Sequence, residues 1–183
     1  MHEKIIYYSL TEAALGNWSK IEPSYISQNL NLDAKLVIEA FPNKEKILDF
    51  YIDIIDDKTL KSINDEDINA ATKREILLEL LMIRLDYMEE NRLSLINIAN
   101  YTVNNPRSLI KAIQRVKISM QKMVELSDKN SSEIKKNVTT RTICIIWLIA
   151  FNKWLYSEGD NSTAYAVLDK GLKRIEKLNN SFS

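Results

Sequence analysis

The sequence is poor in glycine and proline, with only three of each among 183 residues. Proteins of this length that contain β-sheets usually use more of both residues in their turns. Scarcity of both favours long helices joined by short polar connections. Hydrophobic residues make up 45% of the chain and charged residues 27%, as in folded globular proteins. We therefore predict an all-α protein.

Cysteine and histidine occur once each, as Cys144 and His2. A lone cysteine excludes an internal disulfide, and one residue of each type argues against a transition-metal site. The sequence also lacks a glycine-rich phosphate loop and a recognisable Ser, His and Asp set. We therefore predict no metal, no cofactor and no catalytic residues, and a protein that is not an enzyme.

Long hydrophobic runs are absent too. The longest spans residues Ile143 to Phe151, whereas a helix needs about 20 apolar residues to cross a bilayer. This run predicts a helix buried on all sides. The first residues do not form the apolar stretch of a signal peptide. We expect a cytoplasmic protein without a membrane span.

Helical spacing of apolar residues, broken by capping residues, divides the beginning of the chain into short helices. Gly16 ends a first helix, and Pro23 begins a second. Asn31 is the best candidate for a left-handed turn residue, and Asp33 caps a third helix that ends at Ala40. This order predicts a helix-turn-helix unit.

Longer amphipathic segments follow and predict a helical bundle. We place the helix-turn-helix head at residues 1–48 and the bundle, a ligand-binding and dimerisation domain, at residues 49–183. Within the bundle, the patterns predict helices over 72–90, 92–101, 105–127, 131–156 and 162–178.

Particular segments of the head carry a recognisable pattern: Ala13–Trp18, Tyr25–Ser27, Asn29–Leu32 and Phe41–Leu48. They resemble the head of the TetR family of transcriptional regulators. Body segments resemble one branch of that family, which shades into the lipid-binding accessory proteins of ubiquinone biosynthesis. These body segments are Arg84–Asp86, Asn91–Arg92, Trp154–Tyr156 and Leu168–Leu172.

The resemblance implies a homodimer that binds a palindromic operator in double-stranded DNA. It also implies a body pocket whose ligand shifts the spacing of the two heads, so that a repressor releases DNA. The head positions that the resemblance assigns to DNA are Ser24, Tyr25, Asp33, Ala34, Lys35, Ile38, Glu39 and Lys44. Lys44 matches the family's phosphate-contacting lysine, whereas Ile38 replaces a tyrosine that reaches a phosphate.

The charge of the head argues against DNA binding. Residues 1–56 carry five lysines, no arginine and nine acidic side chains, a net charge of −4. DNA-binding proteins obtain much of their affinity from lysine and arginine contacts to phosphates. Two alternatives follow: a DNA-binding regulator with weak electrostatics, or a lipid-binding relative that kept the fold without binding DNA.

A group of aromatic and methionine residues in the body predicts a pocket for an apolar or amphipathic small molecule, since methionine adapts to varied ligands. Its members are Tyr87, Met88, Met120, Met123, Trp147 and Phe151. The alternative for each of them is ordinary core packing.

Overall fold

The computed structural model describes residues 1–157 and 161–181. Within them it contains helices and no β-strand, so the all-α prediction is confirmed. Two 3₁₀ turns, Trp18–Lys20 and Glu89–Asn91, lie between α-helices. The α-helices are α1 (His2–Ala14), α2 (Pro23–Leu30), α3 (Ala34–Ala40), α4 (Lys44–Lys61), α5 (Asp65–Ala70), α6 (Lys73–Met88), α7 (Arg92–Val103), α8 (Pro106–Ser127), α9 (Glu133–Leu155) and α10 (Ser162–Ser181).

The capping residues set the helix ends as local chemistry dictates. Gly16 and Asn31 both have positive φ angles, 81° and 51°, and end α1 and α2. Asp33 accepts hydrogen bonds from the backbone amides of the first turn of α3. Thr72 and Glu75 form a reciprocal capping box at the start of α6. The predicted turns at Gly16 and Asn31 and the end of α3 at Ala40 are therefore confirmed, whereas α6 ends at Met88 and not at the predicted residue 90.

The chain forms two compact units. The first contains residues Met1–Ile55 and Glu90–Ile113, and the second contains Asp56–Glu89 and the chain from Gln114 onward. The predicted head, residues 1–48, lies inside the first unit, and its boundary at residue 48 remains a prediction. Helices α4 and α8 each contribute residues to both units.

In the first unit, α7 packs against α1 through hydrogen bonds as well as apolar contacts. The Ser94 hydroxyl donates to the carbonyl of Leu10 at 2.7 Å, and the Asn97 amide donates to the carbonyl of Ala13 at 2.9 Å. These bonds satisfy carbonyls near the C-terminus of α1. The fully buried apolar residues of this unit include Ile5, Ile21, Ile26, Val37 and Phe41.

The second unit is organised around a buried carboxylate, Asp56 of α4. Arg84 of α6 donates to it at 3.1 Å, Arg115 of α8 at 3.0 Å, and the Ser119 hydroxyl at 2.7 Å. The guanidinium of Arg84 also lies 4.6 Å from the ring centroid of Trp147 in α9. Asp56, Arg84 and Ser119 are almost fully buried. Four helices therefore meet at one hydrogen-bonded ion-pair network.

Helix α9 is buried on one face only. Ile143, Trp147, Ala150 and Trp154 are at most 1% exposed, whereas Ile145 is 62% exposed and Ile149 49%. The prediction that residues 143–151 are buried on all sides is therefore not met within a single chain. No helix in the described residues is long and apolar enough to cross a membrane.

We predict that Asp56→Asn destabilises the protein by about 3–5 kcal/mol, because two buried guanidinium groups lose their counter-ion. Urea unfolding followed by circular dichroism measures the change. The matched control is Asp57→Asn on the exposed side of the same helix turn. Equal stability of the two variants would show that the network carries little of the folding free energy.

Candidate nucleic-acid interface and ligand cavity

The helix-turn-helix unit consists of α2, a turn at Asn31 and α3. The left-handed φ of Asn31 lets the amide of Leu32 return to the carbonyl of Ser27 at 2.9 Å. Asp33 then begins α3 by accepting from the amides of Lys35 and Leu36 at 2.8 and 3.4 Å. A reading helix held by such a tight turn has the geometry needed to enter a major groove.

Helix α3 exposes nearly all of its surface, because Val37 is its one buried residue. The predicted DNA positions Asp33, Ala34, Lys35 and Glu39 are exposed, and Ile38 is 53% exposed. The ammonium of Lys35 makes no hydrogen bond or ion pair within the described residues. The structure therefore brings these five positions onto one accessible helix.

Leu36 joins them with 51% exposure, although the sequence reasoning did not name it. The exposure of Leu36 could have been predicted from the sequence. Val37 and Phe41 are spaced four residues apart and form the buried face of this helix, and Leu36 does not lie on that face. Leu36 and Ile38 give this surface an apolar component beside its charges.

Lys44 has a structural role in the head. Its ammonium donates to the carbonyls of Trp18 and Ser19 at 3.0 and 2.8 Å and lies 4.7 Å from the ring centroid of Tyr101. Partial burial lowers the pKa of Lys44, against the opposing effect of Glu45 and Glu22. An ammonium has three donors, so one remains for a phosphate when two bind carbonyls.

Tyr25 is similarly engaged. Its hydroxyl donates to the carboxylate of Glu12 at 2.9 Å, and the amide of Asn17 donates to the same oxygen at 3.0 Å. Hydrogen bonding with Tyr8, followed by that with Glu12, raises the pKa of Tyr25 to about 12. Tyr25 must exchange Glu12 for a phosphate before it can donate to DNA. The remaining predicted position, Ser24, is exposed on α2.

The structure changes the charge argument. The net charge of −4 for residues 1–56 includes Asp56, which is buried against Arg84 and Arg115 in the second unit. The first compact unit carries nine acidic and eight basic side chains, because residues 90–113 add Arg92, Arg107 and Lys111. Its net charge is −1, so the unit that contains the head is close to neutral.

The six predicted pocket residues belong to the second unit. Met88, Met120, Met123 and Trp147 are buried, Phe151 is partly exposed, and Tyr87 is 40% exposed. Phe151 stacks between Trp147 and Trp154, with ring centroids 5.8 and 5.5 Å apart. The aromatic members other than Tyr87 thus pack on one another.

A cavity of about 490 Å³ lies elsewhere in the second unit, and none of the six predicted pocket residues lines it. Four helices line it. They contribute the first turn of α6, the last turn of α8, the first half of α9 and the second half of α10. Its volume falls within the range of small-molecule sites. Sequence patterns did not reveal it, because its lining residues come from four separate helices.

The cavity wall includes four charged groups that already have partners, Lys73, Arg74, Asp128 and Glu176. The carboxylate of Asp128 lies 2.6 Å from the ammonium of Lys73. Burial tends to raise the pKa of Asp128, but hydrogen bonds from Lys73 and Ser131 outweigh it and hold that pKa below its usual value. Arg74 bonds to Asp169 at 2.9 Å and lies 3.5 Å from Glu176.

Among the described residues, no group of three or more His, Cys, Asp or Glu side chains is placed to hold a metal ion. Cys144 is partly buried, and that burial raises the pKa of its thiol despite the nearby charge of Lys117. It therefore has the environment of a packing residue rather than of a nucleophile.

Comparison with solved structures finds the same fold in the crystal structure of the TetR transcriptional regulator from Nitrosomonas europaea ATCC 19718. The match covers 96% of this chain and 98% of that one, with a TM-score of 0.75 and 21% sequence identity. No protein-family model matches the chain, and neither does any curated protein sequence. The chain has a TetR-like fold. Membership of the ubiquinone-related branch remains a prediction.

We predict that Lys44→Met destabilises the protein by about 1–2 kcal/mol, because two carbonyls lose a charged hydrogen-bond donor. Lys46→Met is the control, since Lys46 is exposed on the same helix turn. Urea unfolding followed by the fluorescence of the tryptophans, which include buried Trp18, reports the difference. If Lys44→Met matches its control, the two carbonyl hydrogen bonds contribute little to the free energy of unfolding.

Proposed function

We propose that this protein is a homodimeric transcriptional regulator that binds a palindromic DNA operator through α2 and α3 and responds to a small ligand in its body. The observation that carries the proposal is α3 itself. It is a capped helix after a left-handed turn, and it exposes Lys35, whose ammonium has no partner within the described residues. The near-neutral charge of the first unit supports it by weakening the charge objection raised by the sequence. The TetR-like fold supports the proposal only through its structural similarity to a transcriptional regulator.

A two-fold dimer is supported by the exposed face of α9. Ile134, Val138, Ile145, Ile149 and Tyr156 are 49–78% exposed. At 100° per residue these five positions fall within an arc of roughly 60°, opposite the buried face of the helix. Large contiguous apolar surfaces mark association sites, and a self-complementary helix face suits two-fold symmetry.

The operator assignment is tested by fluorescence anisotropy with labelled DNA from upstream of the protein's own gene. We expect binding at low salt that weakens as salt rises, because phosphate contacts release counter-ions. Lys35→Ala should weaken binding about tenfold, whereas Glu39→Gln should strengthen it by removing a carboxylate that repels phosphate.

Lys61→Ala, an exposed lysine in the last turn of α4, is the control and should leave the affinity unchanged. Absence of binding by the wild-type protein at low salt would overturn the operator assignment.

The dimer is tested by Ile145→Glu combined with Ile149→Glu. We expect a folded monomer in sedimentation velocity, because two charges cannot be buried in an apolar interface without partners. Ile118→Glu is the control, since Ile118 of α8 is also 49% exposed. A double variant that sediments like the wild type would place the dimer interface elsewhere or exclude a dimer.

The second candidate function is a lipid-binding protein that does not bind DNA. The carbonyl bonds of Lys44 and the exposed apolar side chains of Leu36 and Ile38 favour it. The same anisotropy measurement separates the two, because this candidate requires that the wild-type protein bind no DNA while still binding a ligand.

A further inference from the structure

The cavity of the second unit combines an apolar floor with a polar wall. Leu77, Val124 and Leu172 line it and are buried, at most 5% exposed. Ser127 and Thr139 also line this space, and the Ser127 hydroxyl donates to the carbonyl of Val124 at 3.1 Å. A site with these two kinds of lining suits an amphipathic molecule, whose apolar body packs on the floor while its polar end meets the wall.

Three cationic side chains line the wall, and within the described residues two of them have anionic partners while one does not. Lys73 is paired with Asp128. Arg74 and Lys173 share the carboxylates of Asp169 and Glu176, so that two cations face two anions. These pairs are internally balanced and offer little attraction to a further charge.

Lys135 of α9 is the cation that remains. It lines the cavity, its side chain is exposed, and its ammonium has no hydrogen bond or ion pair among residues 1–157 and 161–181. A single ammonium matches one negative charge, and a charged hydrogen bond of this kind is about twice as strong as a neutral one. A polyanion would need further unpaired donors, which the paired cations do not supply.

We propose that this cavity binds a small amphipathic monocarboxylate, with its apolar body against Leu77, Val124 and Leu172 and its carboxylate on Lys135. The proposal rests on the ligand-responsive part of the proposed function and gives that ligand a chemical class and a position. It also replaces the apolar pocket around Met120 and Trp147 as the ligand site.

Isothermal titration calorimetry with decanoate tests the proposal, with decanol and decyltrimethylammonium as matched probes below their critical micelle concentrations. We expect decanoate to bind at least tenfold more tightly than either. Lys135→Gln should remove that preference and lower decanoate affinity at least tenfold. Lys170→Gln, an exposed lysine of α10 outside the cavity, should change neither.

A second variant, Thr139→Trp, fills the cavity and should abolish binding of all three probes. Circular dichroism verifies that it folds, and if it does not fold, Lys135→Gln alone decides. Equal affinity for decanoate and decanol, an unaffected Lys135→Gln variant, or no decanoate binding would each overturn the monocarboxylate assignment.

Operator binding is measured without any ligand, so the two proposals fail separately. A protein that binds DNA but not decanoate loses only the ligand assignment. A protein that binds decanoate through Lys135 but never binds DNA retains the cavity assignment and loses the operator.

Discussion

The carboxylate of Asp56 is the constraint on which the second unit depends. It receives hydrogen bonds from Arg84, Arg115 and Ser119, which lie on two helices other than its own. Transferring three charged groups out of water is costly, and the cost is recovered only when their geometry is specific. Helices α4, α6 and α8 therefore cannot slide along one another without breaking these bonds, whereas apolar side chains would tolerate a shifted register. The network selects one arrangement of the helices more than it adds stability.

The same network also bears on the apolar pocket predicted from the sequence. Arg84 lies against Trp147, and Met88 and Met120 flank the ion pairs along α6 and α8. An apolar ligand placed among these side chains would have to displace a hydrogen-bonded guanidinium, and a buried charge would then have no partner. A cavity with a polar wall lies elsewhere in the unit, at the first turn of α6 and the last turn of α8, and no residue of the network lines it.

Local chemistry made most of the fold predictable. Asn31, Asp33, Thr72 and Ser132 act within one turn of their own helices, so the sequence neighbourhood contains all that their roles require. The exposure of α3 was only partly predictable, because the helix contains Leu36, Val37 and Ile38 and the structure buries only Val37 among them. The partners of Lys44 were not predictable, because Trp18 and Ser19 are more than twenty residues away and offer only backbone carbonyls. Long-range polar contacts leave no periodic pattern in the sequence. Arg84 was a partial exception, because it lies one helical turn from both Leu80 and Met88 and so interrupts an apolar helix face.

The charge of the head shows how a count of residues and a structure can lead to different conclusions about function. Asp56 enters the count for residues 1–56, yet it lies beyond the predicted head boundary at residue 48 and is buried against two arginines of the second unit. Conversely, Arg107 and Lys111 belong to the first unit although they come much later in the chain. Affinity for DNA depends on which cations lie near phosphates and remain free to bind them, not on a sum over a segment. By that measure Lys35 of α3, exposed and without a partner among residues 1–157 and 161–181, bears more on DNA binding than the four net negative charges of residues 1–56.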